Sequence, residues 1–281
     1  MDLVVNFLDD AFLTDYVYPS SLPEDNPIRQ AITLMGMFTI GGMFMYLSVA
    51  CLSYFFLFDH KLKQHPLFLK DQVKLEIKYA CNSIPFMSLL SVPIMLAEVR
   101  GYSKLYMGIE GLNGWAFIGL TVIAFLMFTD CLIYWIHRML HYPVIYRTIH
   151  KGHHKWKVPT PFASHAFHPI DGWVQSLPYH IYPFFFPLHK VLYLVLFVFV
   201  NIWTISIHDA NYRVPALLKP FINGSAHHTD HHLFYLYNYG QFFTLWDRIG
   251  GSFRYPSAFE GNSILKDVAN KVTENSCKKL N

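Results

Sequence analysis

Residues 115–154 read WAFIGLTVIAFLMFTDCLIYWIHRMLHYPVIYRTIHKGHH, and the change of character inside this stretch decides the fold. From Trp115 to Ile136 the chain is apolar except for one charge, Asp130. That run is long enough to cross a bilayer, which takes about 20 apolar residues. His137 follows without a break, and His141, His150, His153 and His154 crowd behind it. Five histidines fall within 18 residues, where 16 in 281 would place about one. A membrane helix runs directly into a histidine cluster.

The rest of the chain supports a membrane protein. Hydrophobic residues make up 53% and charged residues 15% of 281, against about 25% charged in an ordinary soluble domain. Aromatics reach 17%, which suits lipid-facing surface and interfacial belts. The net charge of +3, with dispersed Lys and Arg, gives no argument for a nucleic-acid partner. Cys51, Cys81, Cys131 and Cys277 form no Cys-x-x-Cys pair, so neither a disulfide framework nor a thiolate zinc site is indicated. Two further apolar runs, Ala31 to Phe58 and Tyr79 to Ala97, read as spans, the second interrupted by Pro85 and Pro93. Trp173 to Ile207 is a longer apolar region broken by Pro183, Pro187, His189 and Lys190, and it reads as a helical hairpin or a pair of re-entrant helices. The fold class is therefore all-α, a multi-span membrane bundle capped by a histidine-rich helical metal site. The expected organisation is an N-terminal segment (1–30), spans with a basic loop (31–119), a catalytic unit (120–255) and a tail (256–281).

Charge sets the orientation. Lys61, Lys63, Lys70, Lys74 and Lys78 lie between spans one and two, which places that loop in the cytosol and the acidic N-terminal segment in the lumen. Asp9, Asp10, Asp15, Glu24 and Asp25 in that segment are unlike a cleavable signal peptide. Span three then returns to the cytosol near residue 137, where Arg138, Arg147, Lys151, Lys155 and Lys157 agree. The ending Lys278-Lys279-Leu280-Asn281 is similar to a dilysine retrieval signal, so an endoplasmic reticulum membrane is expected, with active site and C-terminus cytosolic. The sequon Asn223-Gly224-Ser225 then faces the cytosol and is expected to stay unglycosylated.

Three constellations carry the chemistry. His137-x3-His141 is an i, i+4 pair on one helical face. His150-x2-His153-His154 and His228-x2-His231-His232 repeat one spacing, and on a helix each triplet shares a face. A lone histidine at a membrane edge is ordinarily a hydrogen-bonded side chain. Packing eight titratable rings together without a cation would leave buried donors or acceptors unsatisfied. Imidazole suits zinc, copper and iron, and eight nitrogens exceed what one ion uses, so two ions are expected. His208 is a further candidate ligand, and His168 another; His165 is assigned to support. His60, His65, His180 and His189 lack partner spacing. Asp130, seven residues before His137, either supports a ligand through intervening groups, lines a substrate pocket, or makes a helix–helix hydrogen bond. Asp209, Asp230 and Asp247 are expected to orient ligand imidazoles by accepting their second N–H.

The order His-x3-His, eight residues, His-x2-His-His, then a distal His-x2-His-His resembles the membrane fatty acid hydroxylase superfamily over about residues 120–255. The run Pro159 to Gly172, the segment Trp203 to Asp209 and the stretches Asn223 to His232, Asn238 to Gln241 and Leu245 to Gly251 resemble its sterol C-5 desaturase branch. That resemblance implies two ferrous ions, O2 as oxidant, and electrons from NADH through cytochrome b5. It also implies a delta-7 sterol such as lathosterol, drawn from the bilayer and desaturated at C-5 and C-6. The basic residues 138–157 would receive an acidic donor such as cytochrome b5, although positive-inside bias alone accounts for any one of them. A sterol methyl oxidase or lipid hydroxylase would share every histidine. From another class, a haem-binding electron carrier needs paired histidines facing each other across spans, and a zinc-bound scaffold or transporter needs ligands along a membrane path.

Overall fold

A computed structural model describes residues 1–110, 114–211 and 214–260. Cys277 and the dilysine ending lie outside the described residues. A short helix α1 (Asp2–Leu8) precedes the first span. Asn26 starts that span: its side chain accepts from the amides of Ile28 (2.8 Å) and Arg29 (3.4 Å), and Pro27 fills the first turn, where no N–H is needed. Helix α2 (Pro27–Phe56) carries a π turn over Met37–Gly41. Helices α3 (Gln72–Val99) and α4 (Trp115–Leu140) complete a set of three long and apolar enough to cross a membrane.

Both α3 and α4 exceed their apolar runs. The first turns of α3 bury Gln72 and Glu76, whose polarity is answered by partners. Gln72 donates to the Val158 carbonyl (2.9 Å) and to Glu76 (2.8 Å), and Thr160 donates its hydroxyl to Glu76. These bonds tie the start of α3 to the histidine-rich cap. Helix α4 has 26 residues, or about 39 Å at the usual rise, so its last turns rise beyond the ~30 Å apolar layer. Those turns carry His137, with His141 as the capping residue.

The expected hairpin is present as α5 (Pro169–Phe185) and α6 (Lys190–Ser206), 17 residues each. They meet at β2 (Leu188–His189), which pairs in parallel with β1 (Leu105–Tyr106). Lys104 fastens this tip, donating from its amide to Pro183 and from Nζ to Phe185 (2.9 Å). The hairpin thus begins and ends beside the histidines and turns at the opposite face. Helix α5 packs against both α3 and α4.

The cap is made of short pieces: a π turn (Tyr146–His150), 3-10 turns (His153–Lys155 and Pro161–His165), α7 (Ser225–Phe234) and α8 (Leu245–Ile249). Helix α8 locks onto the end of α4. Arg138 donates to the Gly250 carbonyl (2.6 Å) and to the Tyr134 hydroxyl (2.7 Å), which itself meets Ser252 Oγ at 2.8 Å. A Cβ at Gly250 would sit 1.8 Å from that Tyr134 hydroxyl, so only glycine permits the approach.

Candidate metal centre

Helix α7 is the chemical oddity of the fold: every residue from Ser225 to Leu233 is buried, four of them histidines. Its rings meet those from α4, the two turns after it and the end of α6. Nine imidazoles form two groups, His137, His141, His150, His154 and His231 in one, His153, His208, His228 and His232 in the other. Within each group the ligand atoms lie within 4.8 Å of one another.

The triplets do not each face one ion, as their spacing suggests. Each contributes its i, i+4 pair to one group and its i+3 ring to the other. His150 and His154 join the first group and His153 the second, while His228 and His232 join the second and His231 the first. Around His150–His154 the backbone is a π turn followed by a 3-10 turn, so α-helical faces do not apply there.

Hydrogen bonding fixes which nitrogens point inward. Nδ1 of His137, His231, His232 and His208 lies 2.7–2.9 Å from the carbonyls of Tyr239, Tyr237, Trp156 and Thr204. A carbonyl only accepts, so each Nδ1 carries the proton and each Nε2 presents a lone pair to the group. His150 Nδ1 meets Asp171 Oδ2 at 2.7 Å, both side chains fully buried, with the same consequence. In the first group His154 Nε2 lies 3.0 Å from His150 Nε2, 3.1 Å from His141 Nε2 and 3.2 Å from His231 Nε2. One hydrogen cannot serve three such contacts. In the second group His228 Nε2 stands 2.9 Å from His208 Nε2 and 3.2 Å from His232 Nε2. A cation would resolve the opposed lone pairs in both groups, and the donor set fits borderline transition metals. It leaves no room for a porphyrin between the rings, which removes the haem-carrier alternative.

Electrostatics keep these rings ready to ligate. Burial holds His153, His154, His228, His231 and His232 well below their ordinary value, and pushes His208 down to about 3. Neutral imidazole is the ligating form.

Several carboxylates are placed otherwise than the sequence suggests. Asp209, Asp230 and Asp247 orient no ligand ring. Asp209 accepts from the Asn211 amide (2.7 Å), and Asp230 holds Arg254 (3.1 Å) and Ser257. Asp247 accepts from the amides of Tyr239 and Gly240, both at 2.8 Å. A carboxylate must neighbour an imidazole N–H to orient it, and backbone carbonyls occupy that place at His137, His208, His231 and His232. Asp171, which the sequence did not single out, is the carboxylate on a clustered imidazole, that of His150. Asp130 makes neither a helix–helix bond nor a direct contact with an imidazole. Its buried carboxylate accepts from the amides of Gln241 (3.0 Å), Phe242 (2.6 Å) and Phe243 (3.3 Å), fixing the loop whose Tyr239 carbonyl holds His137. His168 belongs to neither group. Its Nδ1 accepts the Ile170 amide (3.3 Å) and caps α5, so that lone pair is committed. His165 touches Ser164 Oγ (3.1 Å) and Asn201 Oδ1 (3.3 Å). Asn223 is buried and donates to Gly240 (2.8 Å), a structural role that its sequon conceals.

A cavity of about 420 Å³ opens beneath the histidines, between α2, α3, α4, α5 and α6. Its upper end is lined by His137 of the first group and His153, His208 and His228 of the second. Farther down it is lined by Met37, Phe38, Met45, Leu194 and Phe197. An apolar chamber within the bundle thus ends on both histidine groups, a size suited to one small apolar ligand.

A bundle of membrane helices carrying two histidine groups over a lipid-sized chamber defines a membrane-bound lipid-modifying protein of the fatty acid hydroxylase family. The chain belongs to that family, whose profile matches residues 122–252. It is 58% identical to a lathosterol oxidase of Mus musculus over 99% of this chain and 96% of the relative. It is 59% identical to the lathosterol oxidase of Homo sapiens, over 95% of this chain and 90% of the relative. A delta(7)-sterol 5(6)-desaturase of Eremothecium gossypii is 51% identical, over 92% of this chain and 73% of its own. No solved structure gives a significant match.

Proposed function

We propose that this chain is an O2-dependent sterol desaturase that introduces the C-5(6) double bond into delta-7 sterols, converting lathosterol to 7-dehydrocholesterol. The observation that carries this reading is the apolar chamber ending on both histidine groups, in a chain 58–59% identical to lathosterol oxidases over nearly its whole length. The reaction balances as two hydrogens from the sterol, one O2, two electrons and two protons, giving the diene and two waters. Two iron ions, one per histidine group, would supply the activation of O2. The first would be held by His137, His141, His150, His154 and His231, the second by His153, His208, His228 and His232.

The chain's own groups do the rest. Asp171 and the carbonyls of Tyr239, Tyr237, Trp156 and Thr204 hold the rings in one tautomer and one orientation. Such support governs metal affinity nearly as strongly as the ligands do. The chamber walls exclude water from the reacting carbons. Lysines 151 and 155 and Arg147 are exposed around the centre, and in this reading they receive an acidic electron donor, cytochrome b5, charged from NADH. The site then faces the cytosol from an endoplasmic reticulum membrane, with 120–255 as the catalytic unit.

Hydroxylation and desaturation begin with the same hydrogen removal, so the ligands do not separate them. A microsomal assay with lathosterol, NADH and O2 does. The expected product is two hydrogens lighter than the substrate and carries a conjugated diene; a product heavier by one oxygen would instead identify a hydroxylase.

A further inference from the structure

One polar pair in the chamber is left with a mismatch that a hydroxyl group would resolve. Ser164 Oγ lies 2.7 Å from the Pro161 carbonyl, which only accepts, so the hydroxyl hydrogen points there. The same oxygen is 3.1 Å from His165 Nδ1, which must therefore be the protonated nitrogen. A neutral ring then presents a bare Nε2 to Asn201 Oδ1 at 3.3 Å. The amide cannot be reversed, because Asn201 Nδ2 donates to the Phe197 carbonyl at 2.8 Å. Two acceptors face each other with no hydrogen between them. A second ring proton would relieve this, but burial pushes His165 down to about 4, so the ring is neutral near pH 7.

Both side chains line the chamber. The hydroxyls beside them are committed: Ser88, Ser91, Ser176 and Thr204 each donate to a carbonyl of their own helix at 2.7–2.9 Å. We infer that His165 Nε2 and Asn201 Oδ1 together receive the 3β-hydroxyl of the sterol, which donates its proton to the pair and so fixes which carbons face the metal centre. This rests on the sterol-desaturase reading above.

The dimensions agree. Carbons 3 and 5 of a sterol share ring A, so the oxygen on C-3 lies within about 4 Å of C-5. The hydroxyl must therefore bind near the metal end when C-5 is presented for reaction. Asn201 lies on α6 seven positions before His208, which follows the end of that helix, so the two are about 10 Å apart by helical rise. That spacing accommodates the reacting carbon, the carbon–oxygen span and one hydrogen bond. His180, which lines the chamber but belongs to neither histidine group, is nine positions along α5 from Asp171, about 13 Å deeper. Its Nδ1 meets the Tyr193 hydroxyl at 3.4 Å, so that nitrogen already has a partner. His165 also rests against Tyr46, ring centroids 5.0 Å apart, which fixes its plane. Both are positioning residues.

The test compares lathosterol with its 3-deoxy analogue, cholest-7-ene, on the full-length holoenzyme in nanodiscs. Wild type is expected to prefer lathosterol in kcat/KM by about tenfold or more, since a site built for a hydroxyl rejects the analogue lacking it. His165→Phe and Asn201→Leu are expected to reduce that preference to about twofold or less by slowing lathosterol alone. Equilibrium binding of the two sterols to anaerobic holoenzyme should show the same collapse. The ratio within one preparation does not depend on how much of a variant folds. Retention of the full preference by both variants would overturn the assignment while leaving the desaturase reading intact. Loss of the preference in His180→Phe with both other variants unaffected would overturn it too, as would equal use of the two sterols by wild type. A wild type that turns over no delta-7 sterol removes the desaturase reading, and this assignment with it.

Discussion

Replacing Asp171 by asparagine changes one atom's chemistry at the heart of the first histidine group and almost nothing in its shape. Asp171 Oδ2 accepts from His150 Nδ1 at 2.7 Å and Oδ1 accepts from Gln175 Nε2 at 2.7 Å, so both oxygens are used. In Asp171→Asn one of those oxygens becomes an NH2 group. If the NH2 faces Gln175, that side chain must turn its amide over to accept and His150 keeps only an uncharged acceptor; if it faces His150, the ring must move its proton to Nε2. That second arrangement points an N–H into the group, where Nε2 of His154 lies 3.0 Å away and a metal requires a lone pair. A buried hydrogen bond to a charged partner contributes about 1.5–3 kcal/mol, and losing a carboxylate behind a ligand imidazole typically costs about 10- to 100-fold in metal affinity or activity. The expected outcome is therefore a 10- to 100-fold fall in the chelator concentration that strips half the metal, on the order of 1.4–2.7 kcal/mol. Turnover should fall in parallel, with helix content and sterol binding retained. The assay is metal analysis by mass spectrometry after dialysis against graded chelator, with sterol turnover on the same samples. Wild-type retention of metal together with wild-type turnover would refute the role of Asp171 and, with it, the tautomer assignment of His150.

Other expectations follow from the same geometry. Asp130→Ala should lower the thermal midpoint markedly, because the amides of Gln241, Phe242 and Phe243 lose their acceptor at about 1–3 kcal/mol for each left unsatisfied; Asp130→Asn, keeping one acceptor oxygen, should lose less. Gly250→Ala should destabilise the end of α4 by about 1–3 kcal/mol, read as a lower midpoint with loss of metal, since its Cβ would meet the Tyr134 hydroxyl. Metal-free protein should lose stability as pH falls below 6.5. Burial holds His153, His154, His228, His231 and His232 well below their ordinary value in the fold and His208 down to about 3, whereas in the unfolded chain they protonate near 6.5. The unfolded state therefore binds more protons throughout that window, and stability falls by up to about 1.4 kcal/mol per pH unit per ring. A flat unfolding midpoint from pH 7 to 5 in chelated protein would contradict the buried, neutral assignment. Finally, endoglycosidase treatment should leave the gel mobility of the full chain unchanged, because Asn223 is buried and bonded to Gly240.

Much of this was legible in the chain itself, for identifiable reasons. Apolar runs report membrane spans because the bilayer rewards side-chain chemistry directly, and the run Trp115–Ile136 was visible for that reason. Their ends were less so: α3 begins at Gln72 because Glu76 and Thr160 satisfy each other across 84 positions, a pairing no local pattern announces. Histidine spacing pointed to the rings that converge, His168 excepted, but misplaced their division between two groups. Neighbouring His153 and His154 serve different groups, as do His231 and His232 on the α-helix α7, so in both triplets the i, i+4 pair turns to one group and the i+3 ring to the other. The supporting groups were the least visible. Four of the five groups holding ligand rings are backbone carbonyls, which every residue has, and their selection depends on tertiary approach. Asp171 had no spacing signal either, for it meets His150 across 21 positions from the first turn of α5. His168 shows the converse: its placement before a proline-led helix suits a cap, and that local role takes its lone pair.

The central claim is that two groups of converging imidazoles form a two-iron, nitrogen-ligated centre. It is tested most directly by metal counting combined with X-ray absorption on catalytically active, full-length protein. The account predicts two irons per chain, each surrounded by nitrogen at about 2.0–2.2 Å, with O2 consumed only when sterol and reductant are present. Active preparations holding two zincs and no iron, with no O2 consumption, would contradict it.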